Sequence, residues 1–224
     1  CIGMGNEGAS AGHTAGILKE NTEERIPLAV QMKETAINVQ IWKSYHDIVD
    51  ISLISPAGVQ IGPIPEVIGT QRFVVGDTEI LLYYGEPSPF HVSQEIFIEF
   101  LPKDSYITPG IWQFVLTPRK IVTGEYDLWL PSENVLNRGT AFRYPTERGT
   151  LTIPSTSQRV ISVGAYDSLT FAYADFSGRG GLEGESKPDL VAPGVDITAP
   201  TPSGIYQTFT GTSFATPFVS GAAA

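Results

Sequence analysis

The middle of the chain alternates between apolar and polar residues in a series of short segments. Between residues 21 and 145 these segments are separated by turn residues, and no stretch with helical periodicity interrupts them. Alternation with a period of two places every second side chain on the same face of a strand. The pattern therefore predicts an antiparallel β-sandwich. Its expected strands lie at 28–33, 36–42, 48–54, 72–75, 78–84, 95–101, 110–116 and 124–130.

The two flanks of this series have a different pattern. Residues 1–16 are small and rich in glycine, which is typical of a buried strand that runs into a tight loop. Residues 159–167 form an apolar run closed by Gly164 and Ala165, as in a buried strand of a parallel sheet. We therefore expect a mainly β protein in which a sandwich over 21–146 interrupts an α/β segment. That segment would be made of residues 1–20 and 147–224.

Composition restricts the class of partner. The 224 residues carry a formal net charge of −10, which argues against a nucleic-acid partner or an anionic membrane surface. No apolar run approaches the roughly 18 residues that span a bilayer. The single cysteine, Cys1, excludes an internal disulfide. The sequence does not determine the oligomeric state.

Ser213 is the first candidate for chemistry. It lies in residues 211–221, GTSFATPFVSG, where a glycine turn precedes a run of small residues that predicts a closely packed helix. A hydroxyl in the first turn of a helix lies in a positive field beside backbone N–H groups without acceptors. Such a position suits a nucleophile whose attack creates an oxyanion. The alternative is an N-terminal capping serine of an ordinary helix.

Asn6 is the second candidate. It stands in the loop G-N-E-G at residues 5–8. An asparagine held between glycines can direct its amide N–H at a developing oxyanion, whereas an isolated loop of this kind is also typical of a plain asparagine turn.

Further motifs occur in a fixed order along the two flanks, and together they resemble the subtilisin-like serine proteases, or subtilases. The resemblance implies that Ser213 is the nucleophile and that Asn6 supplies the side-chain donor of the oxyanion hole. It also implies a structural role for the turns between them. The matching segments are G-N-E-G at 5–8, P-S-T-S-Q-R-V-I-S-V-G-A at 154–165, K-P-D-L-V-A-P-G at 187–194 and G-T-S-F-A-T-P at 211–217.

The interrupting segment has a weaker resemblance of its own. Residues 110–114 and 124–131 resemble the closing strands of jelly-roll modules that accompany subtilases. The arrangement as a whole is similar to the clostridial spore-germination subtilases. The implied architecture is a jelly-roll-like β-sandwich inserted in an incomplete α/β subtilisin-like domain.

Two subtilase motifs are missing from the sequence. Neither D-[ST]-G nor H-G-T-H, which provide the aspartate and histidine of the triad, occurs in the 224 residues. The segment around His13, G-H-T-A-G, is similar to the histidine motif, but it follows the asparagine loop instead of preceding it. We expect His13 to be a loop histidine. We also expect the chain to be a piece of a longer protein, with the triad partners upstream, and to be inactive alone.

Three functional hypotheses follow. The resemblance favours a serine endopeptidase that acts on protein or peptide substrates, secreted or associated with a spore or cell surface. The second hypothesis is a pseudoprotease scaffold. In the third, the sandwich is a module that binds carbohydrate or protein through aromatic residues, which could instead be core. These residues are Trp42, Tyr83, Tyr84, Trp112 and Trp129.

No cofactor is evident from the sequence. Asp47, Asp50 and Asp104 lie near expected loops, but they lack the spacing of a calcium loop. The resemblance allows a structural calcium ion in the longer protein, and no residue of this chain can be assigned to it.

Overall fold

The computed structural model describes residues 1–181 and 186–224. The chain divides into two compact units. The first unit combines Cys1–Ser10 with Glu147–Ala224, and the second is Ala11–Thr146. The second unit begins at Ala11, and not at residue 21, because the strand His13–Ile17 pairs with a strand of the sandwich.

The described residues are mostly in β-strands, with one α-helix and a short 3₁₀ turn at Glu133–Val135. In chain order the elements are β1 (Ile2–Gly3), β2 (His13–Ile17), β3 (Glu24–Val30), β4 (Ile37–Ser44), β5 (Ile48–Ile54), β6 (Gln60–Ile64), β7 (Thr70–Val75), β8 (Thr78–Tyr84), β9 (Ser93–Pro102), β10 (Gly110–Lys120), β11 (Glu125–Trp129), β12 (Ala141–Phe142), β13 (Ser162–Tyr166), β14 (Leu190–Pro193), β15 (Ile197–Pro200), β16 (Tyr206–Phe209) and α1 (Thr212–Ala223).

The second unit contains two antiparallel sheets. One has the order β12-β3-β10-β5-β6 and the other the order β2-β11-β4-β9-β8-β7. Each alternating segment of the sequence overlaps one of these strands, so the mainly β prediction is confirmed. The strand expected at 28–33 begins earlier, at Glu24, and ends at Val30. Strands β2, β6 and β12 were not predicted. The jelly-roll likeness of the sandwich stays a prediction.

The inner faces of both sheets contribute to one apolar core. Its largest members are aromatic. Phe100 packs edge-on against Trp112 at 5.1 Å and against Phe114 at 6.1 Å between ring centroids. The indole N–H of Trp112 donates to the carbonyl of Thr108 at 2.9 Å, so the polar atom of this buried ring is satisfied. Trp112 and Tyr84 are therefore core residues, whereas Trp42, Tyr83 and Trp129 are not part of this buried cluster.

The first unit is an α/β segment. Strands β1, β13 and β14 form a parallel sheet, β15 and β16 form an antiparallel pair, and α1 contacts all three parallel strands. Small side chains make this close packing possible. The buried cluster consists of Val163, Ala165, Ala174, Ala192 and Ala215.

Gly3 shows how closely α1 approaches the sheet. A Cβ atom at this position would lie 3.0 Å from the hydroxyl oxygens of Thr212 and Thr216. A side chain at this position would therefore require these hydroxyls to move by a few tenths of an ångström. None of the described elements is a helix of the length and apolar character that crossing a bilayer requires.

Candidate functional site

Ser213 lies in the first turn of α1, and its side chain is exposed. The preceding Gly211 has φ of 152°, a conformation that L-residues with a side chain rarely adopt. The N–H of Phe214 donates to the carbonyl of Gly211 at 3.0 Å, which closes the turn into the helix. The N–H of Ser213 itself belongs to the first helical turn, where no intrahelical acceptor exists.

Asn6 contacts the residue next to Ser213. Its Oδ1 accepts hydrogen bonds from the backbone N–H of Thr212 at 3.0 Å and from the Thr212 hydroxyl at 3.2 Å. A backbone N–H can only donate, so the side-chain atom that faces it must be the carbonyl oxygen. The amide nitrogen is therefore directed away from Thr212.

The loop that carries Asn6 is anchored by the turn at residues 176–178. The N–H of Gly8 donates to the carbonyl of Phe176 at 2.9 Å, and the N–H of Gly178 donates to the carbonyl of Gly5 at 3.1 Å. The guanidinium of Arg179 donates to the carbonyl of Gly8 at 2.9 Å. This support was not predicted from the sequence.

The K-P-D-L-V-A-P-G segment supports the nucleophile turn. The N–H of Gly211 donates to the carbonyl of Gly194 at 2.8 Å. At the other end of the segment, Asp189 accepts hydrogen bonds from the Lys187 ammonium and from the backbone N–H and hydroxyl of Ser162, each at 2.7 Å. These bonds hold the pKa of Asp189 far below its ordinary value, with that from Lys187 having the largest effect.

His13 lies in strand β2, so the expectation of a loop histidine is wrong. The residue is buried, its Nε2 is 2.8 Å from Oδ1 of Asp127, and its ring stacks on Trp129 with a centroid separation of 4.7 Å. All three histidines of the chain, His13, His46 and His91, belong to the second unit. The unit that contains Ser213 has no histidine of its own.

Metal-binding clusters were sought over residues 1–181 and 186–224. Within those ranges no group of three or more histidine, cysteine, aspartate or glutamate residues is arranged to hold a metal ion. Asp47 has a different role, because its carboxylate accepts the backbone N–H groups of Val122, Thr123 and Gly124 at 2.6, 3.0 and 2.8 Å.

The arrangement of a serine in the first turn of a helix beside an asparagine loop can be compared with known proteins, and the matches are to subtilisin-like serine proteases. Residues 144–224 match the family model described as the subtilase family. The chain is 46% identical over 71 residues to an intracellular serine protease of Paenibacillus polymyxa. This match covers 32% of this chain and 20% of that protein. It is 43% identical over 75 residues to subtilisin E of Bacillus subtilis (strain 168), and this match covers 34% of this chain and 18% of that protein.

A solved structure extends the similarity to nearly the whole chain. The structure of the Clostridium perfringens CspB protease matches with a TM-score of 0.89 and 37% sequence identity. The match covers 98% of this chain and 46% of that chain. This chain therefore spans less than half the length of CspB and about a fifth of the length of the curated relatives that it matches.

Proposed function

We propose that the chain is the nucleophile-bearing part of a serine endopeptidase that cleaves protein or peptide substrates. The observation that carries the proposal is the hydrogen bonding of Asn6 Oδ1 to Thr212. This contact turns the carboxamide oxygen towards Thr212, and we infer that the amide N–H groups are left for a substrate bound at the exposed Ser213. The subtilase match over residues 144–224 supports the same reading.

In the proposed reaction, the Oγ of Ser213 attacks the carbonyl carbon of the scissile peptide bond. A general base takes the hydroxyl proton and later delivers it to the leaving amine as the C–N bond breaks. The negative charge that develops on the carbonyl oxygen accepts hydrogen bonds from the Asn6 amide and from the Ser213 backbone N–H. Water then hydrolyses the acyl-enzyme by the same proton path in reverse.

The 224-residue chain by itself lacks a base for this reaction. It contains neither triad motif, and the imidazole of His13 is engaged by Asp127 and Trp129. We therefore expect Ser213 to be inactive as a nucleophile in this chain alone. The secreted or surface location implied by the family resemblance stays a prediction.

Labelling by a fluorophosphonate probe tests this proposal. We expect no stoichiometric labelling of the 224-residue chain, and the Ser213→Ala variant should give the same background. A longer form of the protein that carries both triad motifs should be labelled at Ser213, and Ser213→Ala should abolish that signal. Rapid labelling of the 224-residue chain would contradict the proposed inactivity, and no labelling of the longer form would contradict the endopeptidase.

A further inference from the structure

The outer face of the six-stranded sheet carries aromatic rings in register with polar side chains. One transverse row runs Trp129, Gln40, Phe97 and Tyr83 across strands β11, β4, β9 and β8. Asp127, Trp42 and Glu95 form the next row. Neighbouring strands are about 4.8 Å apart, so Trp129 and Phe97 lie roughly 10 Å from each other. A third row contains Asn38, Glu99 and Leu81.

These side chains point away from the core. Their neighbours along the strands, such as Leu128, Ile41 and Ile98, are fully buried between the sheets. By contrast, Trp42, Gln40 and Phe97 are partly exposed, and Tyr83 is 39% exposed. The aromatic side chains of Trp42, Phe97 and Tyr83 therefore lie on the solvent side of the sheet, apart from the aromatic residues of the core on its other side.

The polar groups between the rings are available for a ligand. Within the part of the chain that the structure describes, the side chains of Asn38, Gln40, Glu95 and Glu99 make no intramolecular hydrogen bond or ion pair. Each amide offers a donor and an acceptor, and each carboxylate offers two acceptor oxygens. The face therefore presents hydrogen-bonding groups on both sides of each ring.

A cleft at one end of the face adds a concave site. It is lined by Trp42, Ser44, Ser93, Thr123, Glu125 and Asp127, together with Lys43 and Val92. Apolar side chains extend from the loop beside it, with Val92 63% and Phe90 92% exposed. The carboxylate of Asp127 is held by Nε2 of His13, whose ring also stacks on Trp129. The buried histidine thereby fixes two neighbouring groups of the face.

We propose that this face binds a neutral β-linked polysaccharide, with Trp42 as the principal stacking surface in the cleft. A pyranose ring has apolar C–H faces and a rim of hydroxyl groups, so it matches an aromatic ring flanked by carboxylates and amides. The rows supply this combination repeatedly, which suits several consecutive sugar units. Phe97 and Tyr83 would stack on further units, while Gln40, Glu95 and Glu99 would hydrogen-bond their hydroxyls.

Charge decides which polymer the face can accept. Asp127, Glu95 and Glu99 lie on it, and the chain as a whole carries a net charge of −10. An anionic polymer would be repelled by this field. A basic peptide is compatible with the charge, but it gives no reason for the regular interleaving of flat rings with hydrogen-bonding groups.

The test is titration of the 224-residue chain with cellohexaose, chitohexaose, xylohexaose and mannohexaose, followed by calorimetry and tryptophan fluorescence. We expect saturable binding of at least one of these sugars. Trp42→Ala should weaken that binding about tenfold or more, equivalent to about 1.4 kcal/mol. Gln40→Ala and Glu95→Ala, which each remove a hydrogen-bonding group, should each weaken it by about fivefold.

Tyr144→Ala is the matched control, because Tyr144 is an aromatic residue of the same unit that is 77% exposed and is not part of the rows. It should leave the affinity unchanged. If Trp42→Ala fails to fold, as judged by its thermal transition, the Gln40 and Glu95 variants decide the outcome. The proposal is overturned if none of the four sugars binds saturably or if these variants leave binding unchanged. Binding of a lysine decapeptide in place of the sugars would also overturn it.

Discussion

At the residue scale, the carboxamide of Asn6 has an oxygen that contacts Thr212 and a nitrogen that, in the proposed reaction, would donate to the oxyanion. The oxygen accepts hydrogen bonds from the backbone N–H and the hydroxyl of Thr212. The oxygen contact makes the amide orientation a property of the folded chain, independent of substrate. A pre-oriented donor is what stabilisation of an oxyanion requires.

The two tasks of Asn6 can be separated by substitution in a longer form that carries both triad motifs. Asn6→Ala and Asn6→Asp should each lower kcat about a hundredfold or more, with little change in KM, because both remove the amide donor. Asn6→Asp keeps an acceptor oxygen for Thr212, so it serves as the control for loss of the loop contact. Nearly normal kcat in Asn6→Asp would mean that Asn6 acts only as a structural residue.

Asp47 gives a prediction about stability in the sandwich. Burial raises the pKa of Asp47. Hydrogen bonds from three backbone N–H groups and the charge of nearby Lys43 lower it by a larger amount, so the net pKa lies below the ordinary value of 3.8. A carboxylate with a lowered pKa stabilises the folded state above its ordinary pKa. That contribution is lost as the pH falls through the folded-state pKa.

The variant Asp47→Asn should therefore reduce the free energy of unfolding by about 2 kcal/mol at neutral pH, because one or more buried N–H groups lose their acceptor. Urea unfolding of both proteins as a function of pH measures the effect. The difference should shrink as the solution becomes more acidic than the ordinary pKa of the carboxyl. Asp104→Asn, at an exposed residue, is the control. A difference that does not depend on pH would contradict this account.

At the element scale, the position of α1 depends on the absence of a side chain at Gly3 of β1. The hydroxyls of Thr212 and Thr216 occupy the space that a Cβ would need. Thr216 in turn donates to the carbonyl of Thr212 at 2.8 Å, so neither hydroxyl can move away without losing a contact. The strand that precedes the Asn6 loop and the helix that contains Ser213 are thus matched in shape.

Gly3→Ala should destabilise the first unit by about 1–2 kcal/mol, as in other overpacked contacts. The matched control is Gly221→Ala in α1, where an added Cβ meets nothing within 4 Å. That change should be neutral or stabilising by up to about 1 kcal/mol, because alanine has the higher helix propensity. Hydrogen exchange of the α1 amides distinguishes the two variants. Equal effects would contradict close packing at Gly3.

At the scale of the whole molecule, the two units differ in the size of their cores. The cluster of the second unit contains many of the largest side chains, whereas that of the first is made almost entirely of alanine. Exposed apolar side chains occur in both units, such as Leu169 at 86% and Phe90 at 92%, so the difference lies in the buried clusters. Less apolar burial means a smaller free energy of local unfolding.

Limited proteolysis should therefore cleave residues 148–224 before residues 21–146. The cleavage sites and their order can be read by mass spectrometry. The Ser213→Ala variant controls for any cleavage by the chain itself and should give the same pattern. Equal resistance of the two regions would show that the alanine-rich cluster of the first unit is sufficient for stability.

The alternation of apolar and polar residues was enough to predict most strands of the sandwich. The segments with regular alternation all form strands, because their buried face specifies both the strand and its register. The missed strands lack this signal. β6 contains Gly62 and Pro63, β2 contains small residues, and β12 has only two residues. Their pairing depends on neighbouring strands, which the local sequence does not encode.

The candidate site likewise has parts that the sequence could predict and parts that it could not. The motifs around Asn6 and Ser213 could be recognised because they require glycines and small residues at fixed positions. The support from Gly178, Arg179 and Gly194 could not, since it consists of hydrogen bonds to backbone carbonyls, which any residue provides. His13 was misplaced for a related reason. Its environment is made by Asp127 and Trp129, which lie more than a hundred residues away in the chain.

The sequence by itself therefore determined the mainly β character of the chain, the positions of the regular strands and the identity of the candidate nucleophile. These features depend on local periodicity and on short motifs. Only the tertiary structure decided which aromatic residues are core and which lie on the outer face of the sheet. It also decided that Asn6 meets Thr212 and that His13 is held by Asp127. Each of these depends on strand order and register, which bring together residues that are remote along the chain.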